Sequence, residues 1–300
     1  MEQLIKVIEQ DIIFLSYDEP NAEKNYADLL TKAPWAKRVH GVKGSDAAHK
    51  ACAALSDTEY FVTVDADNIV NPDFFNIEIN LDELKLTPEH VFSWCGKIHV
   101  NNLMYGNGGL KLWTRKFVNE MKTHENSVDG DEKGKVEFCF DHRYYQFNEN
   151  YSESFTNASP FQAWRAGFRE GVKMSLDQGA LVPDIKGIWW QNYHRLLIWC
   201  SVGLDVRNGI YSMLGAREGC FKTNCTDWNY AEVRDFEWLT DYWNQNYKDL
   251  TEDEAHAKSD YFGAELRNRL SLEVADLDVS GSKFFRAIYE NSPRIIKKRI

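Results

Sequence analysis

The segment "FVTVDADN" (residues 61–68) joins a run of apolar residues to two aspartates and an asparagine. A short apolar run bounded by polar residues is typical of a buried strand. The carboxylates of Asp65 and Asp67 then stand at the carboxyl end of that strand. Oxygen atoms of this kind are the ligands that Mg²⁺ and Mn²⁺ prefer in proteins. The segment therefore predicts a divalent-metal site at the end of a strand.

The spacing of Asp65 and Asp67 has two interpretations. Two carboxylates one residue apart in a bent loop reach a single ion, directly or through water. That ion then neutralises a diphosphate group as its bond to carbon breaks. Alternatively, both aspartates only cap the segment that follows them, because a D-x-D pattern is common by chance. The surrounding sequence favours the first interpretation.

Strands and helices alternate from the N-terminus to this segment. Apolar runs predict strands at about residues 11–16 and within 36–42. Helical spacing predicts one helix within 21–34, ending before Pro34, and a second within 45–57, which a Ser/Asp cap opens. Such alternation is typical of an α/β domain with a largely parallel sheet.

Acidic residues follow two of these predicted strands. Asp18 and Glu19 come after the first strand, and Asp65 and Asp67 come after the strand that includes residues 61–64. In α/β sheets, ligands bind beyond the carboxyl ends of the strands. We therefore expect these four carboxylates to border one binding site.

The pattern changes after residue 90. Strands are expected in "HVFSWCGKIHV" (90–100) and "GGLKLWTR" (108–115), which flank the glycine-rich loop "YGNGG" (105–109), and in "VEFCFDHRYYQF" (136–147). From residue 159 onward the sequence is mainly helical. We expect two parts, residues 1–125 and 126–300, within one continuous domain.

Composition excludes some functional classes. The formal net charge of −11 over 300 residues argues against a simple electrostatic nucleic-acid binder, although a local basic groove remains compatible with it. The six cysteines form no C-x-x-C pair, which predicts free thiols in a reducing compartment. The N-terminus is not typical of a signal peptide, and no apolar run has membrane-spanning length. A soluble, intracellular protein is expected.

Three stretches, residues 11–30, 36–75 and 105–117, together resemble the family-2-like glycosyltransferases of T4-like bacteriophages, and the resemblance covers most of the chain. It implies the GT-A fold, a Rossmann-like nucleotide-sugar-binding fold, with a mainly helical C-terminal part. Residues 1–125 would then bind the nucleotide sugar and residues 126–300 the acceptor. The resemblance also implies a UDP-sugar donor and Mn²⁺ or Mg²⁺ as cofactor.

The same resemblance assigns donor-site residues. It implies that Asp65 and Asp67 bind the metal and that the loop of Tyr17, Asp18 and Glu19 holds the nucleoside. Lys43, in "GVKG", is placed to meet a phosphate or the uracil-ribose region; the alternative is an ordinary surface lysine.

The stretch "VGLDVRNGIYSMLGAR" (202–217) compares with the family pattern of an acid that opens a helix ending in glycine. Asp205 takes the place of the acid and Gly215 that of the glycine, while Leu204 departs from the usual Glu-Asp pair. The resemblance implies that Asp205 deprotonates the acceptor hydroxyl, a role that needs hydrogen-bond reach. The alternative is that Asp205 only caps the helix.

Two histidines compete for a place in the site. His194, in "QNYHRLLIW", is a candidate third metal ligand, a base, or a partner of Asp205; the alternative is a structural role. The rival is the pair Asp141-His142 in "CFDHRYY". The sequence does not separate these two places.

The acceptor site has several candidate elements. Gly108 and Gly109 let a backbone approach a ligand closely or make a hairpin turn, and Trp113, like Trp94, either stacks on a ligand or fills the core. The candidates on the predicted helix are spaced at i, i+4 and i+8 along one face, where they contact phosphates or form a solvated face: Arg165, Arg169 and Lys173.

A second basic element is the C-terminal tail of Arg294, Lys297, Lys298 and Arg299. The family resemblance implies a DNA acceptor, the hydroxyl of 5-hydroxymethylcytosine in the major groove, with arabinose or glucose as the sugar and the host cytoplasm as location. Two alternatives stay open: a glycan or protein acceptor, and a non-catalytic sugar-nucleotide-binding module that keeps the fold.

Overall fold

The computed structural model describes residues 3–106, 108–123 and 138–291. The chain divides into two compact units. The first combines Met1–Ile98 with Met104–Phe155, and the second combines His99–Leu103 with Thr156–Ile300. The basic tail lies outside the described residues.

The described residues of the first unit form ten strands. They are β1 (Leu4–Lys6), β2 (Asp11–Ser16), β3 (Lys37–His40), β4 (Tyr60–Asp65), β5 (Asn68–Val70), β6 (Glu78–Asn80), β7 (Val91–Ile98), β8 (Met104–Tyr105), β9 (Leu110–Thr114) and β10 (Tyr144–Ser154). Eight of them form one sheet in the order β3-β2-β4-β9-β7-β10-β5, with β8 paired to β7. Strands β1 and β6 form a separate antiparallel pair.

Most strands of the large sheet point the same way. Strands β3 and β4 run parallel to β2, and β10 runs parallel to β7. Strand β9 is antiparallel to both β4 and β7, which sets these two groups in the same direction. The predicted α/β class with a largely parallel sheet is confirmed.

The large sheet is buried on both faces. Val62 and Val64 of β4 pack in one apolar cluster with Phe14, whereas Phe61 packs in another with Trp113. A strand covered on both sides has apolar side chains at consecutive positions. This burial explains the continuous apolar run that precedes Asp65, and each fully buried large side chain contributes about 1.5–3 kcal/mol.

Four α-helices also lie in the described part of the first unit: α1 (Ala22–Lys32), α2 (Ser45–Leu55), α3 (Leu81–Leu84) and α4 (Arg115–Glu120). Helix α1 ends before Pro34, as predicted. The predicted Ser/Asp cap of α2 is wrong, because Ser45 and Asp46 are its first helical residues and the N-cap is Gly44. Gly44 has a φ of 91°, in the region that glycine tolerates without strain.

The strand predicted at residues 136–147 is also wrong in part. A 3₁₀ turn occupies Phe138–Phe140, and β10 begins at Tyr144 and continues to Ser154. The amide of Tyr144 donates to the carbonyl of Asp141, and the amide of Arg143 donates to the Asp141 side chain. This local turn delays the strand.

Up to residue 291, where the description of the second unit ends, six α-helices form most of it: α5 (Pro160–Met174), α6 (Trp190–Ser201), α7 (Gly209–Cys225), α8 (Phe236–Asn246), α9 (Glu252–Leu270) and α10 (Val279–Asn291). The predicted helical C-terminal part is confirmed. Helices α5 and α7 approach closely through glycines: a Cβ at Gly167 would lie 1.9 Å from the Ser212 carbonyl oxygen. None of the helices in the described ranges is both long and apolar enough to cross a membrane.

Cysteine chemistry agrees with the sequence. All six cysteines are free thiols, and four of them, Cys52, Cys95, Cys200 and Cys220, are buried. Burial raises the pKa of the Cys52 thiol to about 12. Buried thiols of this kind are unreactive at neutral pH.

Candidate functional site

Three strand ends lie side by side at one edge of the large sheet. Leu15 of β2 pairs with Asp65 of β4, and Ser16 of β2 pairs with His40 of β3. The segments that follow these ends carry the predicted donor-site residues: Tyr17, Asp18, Glu19, Lys43, Asp65 and Asp67. The structure thus brings all six to the same sheet edge.

Asp65 is the last residue of β4, and 40% of its side chain is exposed. Its amide donates to the Gly109 carbonyl oxygen at 2.9 Å, which fixes the backbone at this point. Its Oδ2 lies 3.5 Å from Nζ of Lys111. The carboxylate is therefore open to a ligand on one side and faces a cation on the other.

Lys111 is a site residue that sequence reasoning missed. It lies on β9 opposite Thr63 of β4, its side chain is only 7% exposed, and its Nζ donates to the Gly108 carbonyl oxygen at 2.8 Å. Lysine is rarely buried unless it is paired. The one signal in the sequence was a charged residue within the apolar run "LKLW".

Asp67 occupies the turn between β4 and β5. Its Oδ1 accepts a hydrogen bond from Asn68 Nδ2 at 2.6 Å, and its carbonyl oxygen accepts one from the Phe155 amide at 2.7 Å. The helical turn that follows, Pro72–Asn76, is capped by Asn71. Neither aspartate caps that helical turn, and the role of Asp65 and Asp67 as metal ligands stays a prediction.

The turn between β4 and β5 also shapes the sheet. Only Ala66 and Asp67 separate the two strands, yet β9, β7 and β10 lie between them in the strand order. Four strand spacings in a flat sheet amount to about 19 Å, whereas three residues span at most about 11 Å. The sheet must therefore curl strongly at this edge.

His49 of α2 lies beneath the site. Burial lowers its pKa, and the negative charge of Asp65 opposes that shift. Its Nδ1 lies 2.7 Å from the Ser45 carbonyl oxygen and so donates to it. Its ring meets the ring of Trp113 edge-on, with centroids 5.7 Å apart. A neutral, packed imidazole supports the strand end without adding charge to it.

The loop after β2 offers an exposed ring. The Tyr17 side chain is exposed, and the Tyr17 amide donates to Glu19 Oε2 at 2.8 Å. Asp18 and Lys43 are also exposed. An aromatic face and carboxylates beside it are suited to a base and the hydroxyls of a ribose.

Two predicted acceptor elements have structural explanations. A Cβ at Gly108 would lie 2.5 Å from the Gly96 amide nitrogen, and one at Gly109 would lie 2.0 Å from Asn68 Nδ2. The close approach at these glycines is thus to the chain's own atoms. The stacking role predicted for Trp113 is wrong, because Trp113 is fully buried and its Nε1 donates to Thr63 at 2.8 Å.

In the second unit, Asp205 lies in the turn before α7. The N-cap of that helix is Asn208, so the capping alternative for Asp205 is wrong. Asp205 Oδ2 accepts from Arg286 at 2.7 Å, and the Asp205 side chain is 7% exposed. Its other oxygen, Oδ1, is buried and has no hydrogen-bond partner in the part of the chain that the structure describes. Gly215 is explained by packing, since a Cβ there would lie 2.2 Å from the Trp164 carbonyl oxygen.

His194 lies on α6, where its Nε2 is 2.7 Å from the Tyr289 hydroxyl. Burial lowers its pKa, and the charge of Arg195 adds to that effect. The rival residue His142 is 88% exposed and lies 3.4 Å from Asp141. Asp141 itself is engaged by Arg143, whose hydrogen bonds outweigh burial and lower the pKa of its carboxyl.

The metal-ligand types present fit a hard cation. Asp65 and Asp67 supply oxygen ligands, and Mg²⁺ commonly uses one or two carboxylates together with water and phosphate oxygens. Within the described ranges there is no cluster of three or more histidine, cysteine, aspartate or glutamate side chains suited to a metal. The assignment of His194 as a third ligand stays a prediction.

The basic stripe lies on one face of α5. The guanidinium groups of Arg165 and Arg169 lie over the ring of Phe236, at 5.4 and 4.7 Å from its centroid. Lys173 is paired with Glu170. The helix is confirmed, and contact of these side chains with phosphate stays a prediction.

The chain has few matches among known proteins. No protein-family model matches the sequence, and no curated protein is a significant match. Among solved structures, the chain is similar to a glycosyltransferase involved in the glycosylation of the major capsid of PBCV-1. That match has a TM-score of 0.26 and 14% identity, and it covers 46% of this chain and 82% of the other. A TM-score this low supports no conclusion about fold or function.

Proposed function

We propose that the protein is a metal-dependent glycosyltransferase that moves a sugar from a UDP-sugar to 5-hydroxymethylcytosine in phage DNA. One observation carries the proposal: the partly exposed Asp65 and the neighbouring Asp67 share a sheet edge with the loops of Tyr17 and Lys43. Carboxylates for a cation and an aromatic face for a base are thereby collected where α/β sheets bind ligands.

The donor would be held by the first unit. Asp65 and Asp67 would bind Mn²⁺ or Mg²⁺, which supplies positive charge to the departing diphosphate when bound. The exposed ring of Tyr17 would stack on the uracil, and the carboxylates of Asp18 and Glu19 would accept hydrogen bonds from the ribose. Lys43 would contact a phosphate oxygen as a point charge.

The acceptor hydroxyl would be deprotonated by Asp205 of the second unit. Arg286 pairs with one carboxylate oxygen and thereby orients the group. The other oxygen, Oδ1, has no hydrogen-bond partner among the described residues and would accept the proton. His194 is the second candidate base, because an imidazole of lowered pKa is neutral near pH 7.

The candidates for binding of the acceptor lie on α5. Arg165, Arg169 and Lys173 would contact DNA phosphates from one face of α5. The sugar would be arabinose or glucose, and the reaction would take place in the host cytoplasm. A glycan or protein acceptor uses the same donor site, and a non-catalytic module would bind the nucleotide sugar without turnover.

The decisive experiment combines a panel of UDP-sugars, Mn²⁺ and duplex DNA that contains 5-hydroxymethylcytosine, followed by mass spectrometry of the nucleosides. We expect the modified nucleoside to gain the mass of one pentose or hexose. Asp65→Ala should lower the rate by about 100-fold or more, because it removes a metal ligand. Asp73→Ala, at an exposed aspartate of the same unit, is the matched control.

Other outcomes select the alternatives. Release of UDP with glycan or protein acceptors but not with DNA would move the activity to the second class. Nucleotide binding without UDP release for any acceptor would indicate the non-catalytic module. Full activity of Asp65→Ala would contradict both enzymatic assignments.

A further inference from the structure

Lys111 is a buried cation at the edge of the proposed donor site. Its side chain is 7% exposed, and the residue lies on β9 between its register partners Thr63 of β4 and Ser93 of β7. The ammonium group hydrogen-bonds to the carbonyl oxygen of Gly108 at 2.8 Å and lies 3.5 Å from Asp65 Oδ2. An ammonium group has three donors, so these two contacts leave capacity for a third acceptor.

The ion pair of Lys111 with Asp65 opposes the binding of a divalent cation that enters without an anion. A divalent cation bound to Asp65 would lie close to a positive charge that is largely removed from water, and such repulsion is strong where the dielectric is low. The repulsion is relieved if an anion enters together with the cation. A diphosphate provides that anion, since its oxygens accept hydrogen bonds from lysine and bind the metal at the same time.

We propose that Lys111 is a direct ligand of the diphosphate: when a divalent cation takes the carboxylate of Asp65, the ammonium group of Lys111 turns from that carboxylate to a phosphate oxygen. The proposal rests on the proposed glycosyltransferase function and extends it to a second source of positive charge for the leaving group. It makes cation and diphosphate bind together, each raising the affinity for the other.

The first test is binding without metal. In buffer with EDTA, Asp65→Asn removes the anion that holds Lys111, so the affinity for pyrophosphate and for UDP should rise about fivefold or more over the wild type. Lys111→Met should abolish this metal-free binding, and Lys111→Arg should keep most of it. Lys116→Met, at an exposed lysine of α4 that pairs with Glu89, is the control.

The second test is binding in the presence of Mn²⁺. Lys111→Met should weaken UDP about tenfold, as expected for one lost charge-assisted hydrogen bond, and should leave uridine binding unchanged. The same variant should bind Mn²⁺ alone more tightly than the wild type, because the repelling charge is gone. Thermal unfolding shows whether each variant is folded, and the Asp65→Asn comparison stands without Lys111→Met.

The outcomes separate this inference from the proposed function. Two results would overturn the role of Lys111 and leave the glycosyltransferase proposal intact. One is that Asp65→Asn lowers the metal-free affinity for UDP. The other is that Lys111→Met does not change the affinity for UDP in Mn²⁺. Pyrophosphate binding that depends on Lys111 without any preference for UDP would keep the anion site and remove the support for a nucleotide-sugar donor.

Discussion

The carboxylate of Asp205 and the guanidinium of Arg286 lie 2.7 Å apart, although 81 residues separate them in the sequence. Arg286 belongs to α10 and also donates to the His99 carbonyl oxygen at 2.9 Å. The side chains of both residues are mostly buried, at 7% exposure for Asp205 and 17% for Arg286. The pair therefore joins the last helix to the turn before α7 and holds the predicted base in place.

Loss of Arg286 should destabilise the protein. Arg286→Ala leaves the Asp205 carboxylate buried and unpaired, a change that typically costs about 3–5 kcal/mol. Urea unfolding measures it. Lys283→Ala, at an exposed lysine on the same helix, should stay within about 0.5 kcal/mol of the wild type. Equal effects of the two substitutions would show that the ion pair is not a stabilising contact.

Loss of the carboxylate of Asp205 should affect turnover more than donor binding. General-base catalysis contributes about 10²–10⁴-fold, so Asp205→Asn should lower kcat by that factor and leave the KM for the UDP-sugar within about twofold. Steady-state kinetics, with the acceptor that the mass-spectrometry experiment identifies, measure both constants. Asp227→Asn, at an exposed aspartate of the second unit, is the control. An unchanged kcat in Asp205→Asn would transfer the role of base to His194 or to His142.

Glu218 of α7 predicts a dependence of stability on pH. Its carboxylate accepts hydrogen bonds from Trp164, Tyr242 and Tyr247, and burial nevertheless raises its pKa above the ordinary value of 4.5. A folded-state pKa above the unfolded value means that the native state binds the proton more tightly. The stabilising contribution is thus complete below pH 4.5 and is lost as the pH rises through the folded-state pKa.

Glu218→Gln removes this titration. The stability of the wild type relative to the variant should fall as the pH rises from about 4 to about 8, measured as the difference in the free energy of unfolding in urea. Glu252→Gln, at an exposed glutamate, should show no such trend. A difference between wild type and Glu218→Gln that stays constant or grows with pH would contradict the assignment.

The crossing of α5 and α7 should not tolerate a methyl group. In Gly167→Ala the new Cβ would lie 1.9 Å from the Ser212 carbonyl oxygen, so the two helices must move apart. Overpacking of this kind costs about 1–3 kcal/mol or more, which thermal or urea unfolding detects. Gly187→Ala is the matched control, because no atom lies within 4 Å of its Cβ. We expect the control to be neutral or slightly stabilised.

The sequence predicted β2, α1, β3, α2 and β4 in their order and missed the short strands β1, β5, β6 and β8. Both β2 and β4 are buried on both faces. Strands β2 and β4 therefore appear as continuous apolar runs, and the acids that end them are conspicuous. Asp65 and Asp67 were found for this reason. The expected start of β10 was wrong because the turn at Asp141 depends on hydrogen bonds that the pattern of apolar residues does not encode.

The remaining site residues depend on contacts that are distant in sequence. Lys111 meets Asp65 across 46 residues, and a lysine within a strand gives no sign of which strand end it faces. Gly109 has no side chain where a Cβ would meet the side-chain amide of Asn68. Trp113 had two interpretations, stacking on a ligand or filling the core, because exposure cannot be predicted from residue type; the fold buries it completely.

The short connection between β4 and β5 has a consequence for ligand affinity. The carbonyl oxygen of Asp67 accepts a hydrogen bond from the amide of Phe155, the residue that follows β10. The two aspartates therefore lie on backbone that the sheet holds in place, not on a free loop. The conformational entropy of their backbones is therefore lost when the protein folds and not when a ligand binds. A chain lengthened by one residue at this point would keep the same carboxylates and lose that advantage.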